Sequence, residues 1–157
     1  MKKTLLLIAI SLFALSAAAR AQDPFIGTWK QNLAKSKYDP ASGTPKAGTT
    51  VKREAVPGGG VKVTTDGTDA QGKPTHTEYT AKYDGKDNPL KGNANYDTIS
   101  LRLTDPKTRI AVYKKGGMVV RMSRTTVSAD GKSGVTEDVG AYGTGPAFHN
   151  ATFFDKQ

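Results

Sequence analysis

His76 and Glu78 lie two residues apart, on one face if their segment is a strand, a spacing that could hold a metal ion at the surface. A solvated polar face explains the same pair with no ligand. The other histidine, His149, has no ligand-type residue beside it at helical metal spacing, and cysteine is absent. The aspartate-rich segments 66–73 and 84–88 suggest calcium loops, but Thr68 and Lys86 break the oxygen-ligand rhythm such a loop needs, so they read as turns. No serine sits on a Gly-x-Ser-x-Gly elbow, and nothing marks two carboxylates as an acid/base pair. The chain therefore reads as a non-enzyme that needs no cofactor.

Sharper chemistry lies in the last third. Met118, Val120, Met122 and Arg124 alternate along one strand face, which sets a guanidinium in line with three apolar residues. Asp130-Gly131 between two alternating runs is a hairpin signal for a type I′ turn. If the loop has two residues, Ala129 pairs with Lys132 and the register carries Thr126 to Val135, Arg124 to Glu137 and Met122 to Val139. A three-residue bulged loop would bring Asp138 to the arginine instead. The first register is preferred because it groups Val135 and Val139 on the apolar face. Arg124 and Glu137 are then either an ion pair within the sheet or a polar group held for a ligand. Arg53, in line with Val51 and Ala55, poses the same choice.

These residues must be positioned by strands. After the first 21 residues the 3.6-residue period is absent, and alternation at 2 recurs between turn signals. Strands are expected at about 26–33, 49–56, 61–66, 75–83, 99–104, 109–115, 118–127, 132–142 and 148–155. In the fourth, Thr77, Tyr79, Ala81 and Tyr83 share one face and His76, Glu78, Thr80 and Lys82 the solvent face. Residues 34–48 form a polar connection suited to folding over a barrel mouth, and 84–96 a long loop. Roughly nine strands joined by short turns imply one all-β domain, an up-and-down barrel of about 8–10 strands that removes exposed sheet edges. A sandwich is the alternative.

Residues 1–21 read as a removable leader. Lys2 and Lys3 precede an apolar run over 5–15, and Ala19-Arg20-Ala21 is acceptable to a signal peptidase. Eleven residues are too few for the roughly twenty of a spanning helix. Cleavage after Ala21 would leave a periplasmic or secreted domain, 22–157, with 20 basic and 14 acidic residues and a charge of +6. That charge favours weak contact with anionic envelope surfaces. Its basic residues are dispersed and not interleaved with aromatics, so nucleic acid is not an expected partner.

The stretch Phe25-Ile26-Gly27-Thr28-Trp29-Lys30 holds the only tryptophan and opens the first strand. It resembles the Gly-x-Trp opening of the calycins, the lipocalins and cytosolic fatty-acid-binding proteins. The resemblance implies a barrel closed below by the tryptophan, with a binding cavity above. In fatty-acid-binding proteins an Arg-x-Tyr pair on the last strand holds the ligand carboxylate; Thr152 and Phe154 stand there. Lipocalins set a late arginine across the tryptophan; none follows Arg124, and Lys156 is the available substitute. The expected function is non-covalent binding of a small, mainly apolar molecule. The expected interior consists of Trp29, Arg53, Tyr79, Tyr83, Leu101, Met118, Met122, Arg124, Glu137 and Phe154. The competing expectation is an envelope interaction or inhibitor protein with a filled core.

Overall fold

The computed structural model describes residues 23–157, and the expected leader, 1–21, lies outside the described residues. Ten strands follow one another: β1 (Gly27–Gln31), β2 (Thr50–Val56), β3 (Gly60–Thr68), β4 (Pro74–Lys82), β5 (Asn88–Lys91), β6 (Thr98–Asp105), β7 (Thr108–Lys115), β8 (Met118–Val127), β9 (Ser133–Gly140) and β10 (Phe148–Lys156). Each pairs antiparallel with its chain neighbour, and β1 pairs with both β2 and β10, closing the sheet into an up-and-down barrel. Closure leaves no sheet edge and decides against a sandwich. No helix among the described residues is long and apolar enough to cross a membrane.

Segment 84–96 is not the continuous loop expected, because Asn88–Lys91 pairs as β5. It matches only two residues on each side, and Leu90 is its one buried side chain. The type I′ geometry falls at Gly116-Gly117, with φ of 55° and 84°, joining Lys115 directly to Met118. At Asp130-Gly131 only Gly131 has positive φ, its N–H bonding to Ser128 O at 3.0 Å, and Ser128 N–H reaches Ser133 O at 2.9 Å. The loop is thus longer than two residues. It lengthens symmetrically, so the expected register survives: Thr126 faces Val135, Arg124 faces Glu137 and Met122 faces Val139.

The lower end is plugged with apolar groups. Phe25 and Trp29 are buried, and the Trp29 indole N–H donates to Phe25 O at 2.9 Å, satisfying the ring's one polar atom. Lys156 crosses the indole with Nζ 5.1 Å from the ring centroid, in the place the sequence left for an arginine. Gly27 has φ of 126°, and a Cβ there would meet Lys156 Cε at 2.7 Å. The start of β1 therefore needs glycine for its conformation, while the lysine tip could shift aside.

Candidate functional site

Above the plug lies a cavity of about 290 Å³. Its wall is polar. Strand alternation turns Arg53 of β2, Arg109 and Tyr113 of β7, Arg121, Ser123 and Thr125 of β8, Thr136 and Asp138 of β9, and Asn150 and Thr152 of β10 toward it. At the upper end the 32–49 connection crosses over, contributing Tyr38 to the wall. Asn150 Oδ1 ties it down by accepting from Asp39 N–H (2.9 Å) and the Ser42 hydroxyl (2.8 Å). Gln31 accepts from Thr49 N–H at 2.9 Å and donates to the Tyr38 hydroxyl.

Two arginines at the bottom of the cavity have no acidic partner among the described residues. The Arg53 guanidinium stands 5.8 Å from the Trp29 ring centroid and that of Arg109 5.3 Å from Phe25. Both residues are buried, yet Arg53 Nε and Arg109 Nε and Nη1 have no hydrogen-bond partner among the described residues. An unpaired buried donor costs about 1–3 kcal/mol, and more when charged. Burial first and the Arg109 charge second push the Arg53 guanidinium down to about 9. Burial opposes the Arg109 charge as well, but the phenols of Tyr79, Tyr113 and Tyr83 more than offset it, leaving Arg109 above its ordinary value. Burial raises the Tyr83 and Tyr113 phenols further, so near neutral pH these two offer Arg109 dipoles rather than a counter-charge.

The third arginine is matched. Arg121 Nε and Nη2 donate to Asp138 Oδ1 at 3.0 and 2.7 Å, and the Ser123 hydroxyl donates to the same oxygen. Burial works against the Arg121 charge, but the Asp138 carboxylate outweighs it and holds the guanidinium well above its ordinary value. Arg121 also lies 4.8 Å from the Tyr113 ring centroid. Tyr96 packs at 4.9 Å from Tyr113 and 6.3 Å from Tyr142, giving the upper wall an aromatic lining.

Of the residues expected inside, Arg53, Tyr79 and Phe154 line the cavity; Trp29 and Leu101 lie fully within the core, and half-buried Tyr83 packs against it. Met118, Met122, Arg124 and Glu137 are on the outer surface. Met118 is 72% exposed beside the Gly116-Gly117 turn and Met122 45%. Arg124 Nη1 sits 4.0 Å from Glu137 Oε2 with both side chains more than half exposed, a solvated pair of little energetic weight. The strand pairing was right and the face was wrong. On β8 and β9 it is the polar set, Arg121, Ser123, Thr125, Thr136 and Asp138, that faces inward, leaving Met122 and Val139 to solvent. Arg121 was missed for the same reason, and Arg109 because no face was assigned to its strand, β7. His76 bonds Asp66 across the strands at 2.6 Å rather than acting with Glu78. The described residues contain no group of three or more His, Asp or Glu placed to hold a metal ion.

The interior phenols give a titration test. Burial raises Tyr113 to about 12 and raises Tyr83, Tyr96 and Tyr142 as well. Their unfolded pKa is near 10, so their contribution to stability is complete below pH 10 and declines as pH rises toward 12. Phenolate absorption from these four is expected only as the folded circular dichroism is lost. Ionisation of every tyrosine near pH 10 with the barrel intact would contradict this burial.

The sequence matches no protein-family model and no curated protein.

Proposed function

We propose that this is an exported, calycin-like binding protein that takes a small molecule bearing an anionic group into its barrel, non-covalently. The observation that carries the reading is the pair Arg53 and Arg109, buried beside the cavity with guanidinium N–H groups unpartnered and no carboxylate to answer them. Two like charges buried together repel each other, and an incoming anion relieves that repulsion. The arginines and the polar residues of β8, β9 and β10 in the wall favour a ligand with an anionic group over the mainly apolar one expected from sequence. At about 290 Å³ the space is near the lower end of small-molecule sites. Export is supported by the order of residues 1–21, basic, apolar and then Ala-x-Ala.

The test is native mass spectrometry of protein from its own envelope, followed by chemical denaturation with benzoate, phenyl phosphate or neutral phenol added. A co-purifying acidic molecule is expected. An anion at a hundred times its dissociation constant should add about 2.7 kcal/mol of stability, and phenol none. If no anion stabilises the protein, carriage is lost.

A further inference from the structure

We infer that the group held in the barrel is a dianion, such as a phosphate monoester or a dicarboxylate, rather than a single carboxylate. This rests on the anion-binding reading and goes further by fixing the ligand's charge. Among the described residues four formally charged side chains line the cavity: Arg53, Arg109, Arg121 and Asp138. Arg121 and Asp138 close on each other through two hydrogen bonds to one carboxylate oxygen, which cancels one positive and one negative charge. Two positive charges remain, on Arg53 and Arg109. The carboxylate nearest the plug does not answer them. Asp23 accepts the Phe25 N–H at 2.9 Å through Oδ1 and the Tyr83 hydroxyl at 2.9 Å through Oδ2.

The two free guanidinia belong to one site. They stand over the rings of Trp29 and Phe25, residues joined by the hydrogen bond from the Trp29 indole N–H to the Phe25 backbone carbonyl, and the Arg109 charge bears directly on Arg53. A monoanion has one charge for two buried cations, so one guanidinium would stay uncompensated in a low-dielectric surround. A dianion neutralises both.

The experiment is calorimetric titration of residues 22–157 with benzoate, phenyl phosphate and phthalate at neutral pH. The dianions are expected to bind about 10- to 100-fold more tightly than benzoate, the range of one charged hydrogen bond. Phenyl phosphate above phthalate would place both charges on one group, and the reverse would place one at each arginine; either order supports a dianion. Arg53→Met, which keeps most of the stem volume and removes one charge, should collapse the preference to within a few-fold while benzoate still binds. Equal affinity for benzoate and the dianions in the wild type, or a preference that persists in Arg53→Met, overturns the dianion inference and leaves anion binding standing. Binding of none of the three defeats both.

Discussion

Trp29→Ala is expected to cost about 3–5 kcal/mol of folding stability, enough to leave little of a small domain folded. The indole is 1% exposed, its N–H is satisfied by Phe25 O, and its ring carries Lys156 on one contact and Arg53 on another. Truncation would open a cavity at the point where the N-terminal segment, β1 and β10 meet. It would also leave Phe25 O without its donor and remove the surface on which both cations rest. Urea denaturation of the two proteins measures it. A loss under about 1 kcal/mol would mean that the plug reorganises freely and that Trp29 does not close the barrel.

Most of the wall was legible because alternation at 2 and glycine-marked turns are local signals. β8 was expected at 118–127 and is found there, and β10 differs only at its last residue. Lys156 was legible as the cation over Trp29 because the sequence offers no later arginine. β5 was not, since Asn88-Pro89-Leu90-Lys91 is short, contains a proline and buries a single side chain.

The site was harder to read because period 2 defines two faces without saying which one points inward. That choice propagates from Trp29 through pairings that sequence does not display. On one side Gly27 pairs with Arg53, Arg53 with Val63 and Val63 with Tyr79, which made Arg53 and Tyr79 recoverable from their apolar neighbours. On the other side Gln31 pairs with Phe154 and Phe154 with Gly134. Gly134 has no side chain to announce its face. From Gly134 the inward set runs to Thr136 and Asp138, and across to Thr125, Ser123 and Arg121. The apolar stripe of Met122 and Val139 pointed the other way because hydrophobicity is a guide to the interior only where the interior is apolar. Here the upper half of it is not.

The arginine pair is where stability and function should part. In the empty protein Arg53→Met with Arg109→Met removes two uncompensated buried charges and three unmet donors, while giving up two cation–π contacts. Those contacts are worth about 0.5–2 kcal/mol each, whereas each unpaired buried ion carries an effective penalty of several kcal/mol. The sign therefore favours the double variant, by about 1–4 kcal/mol on the scale seen when buried ionic groups are replaced by apolar ones. The measurement that tests anion carriage most directly is denaturant unfolding of the wild type and this double variant, each with and without phenyl phosphate. The expected result is a variant at least as stable as the ligand-free wild type whose midpoint does not move with phenyl phosphate, beside a wild type whose midpoint rises. A variant several kcal/mol less stable than the wild type, or one that phenyl phosphate stabilises equally, would make Arg53 and Arg109 structural groups and contradict the binding site assigned to them.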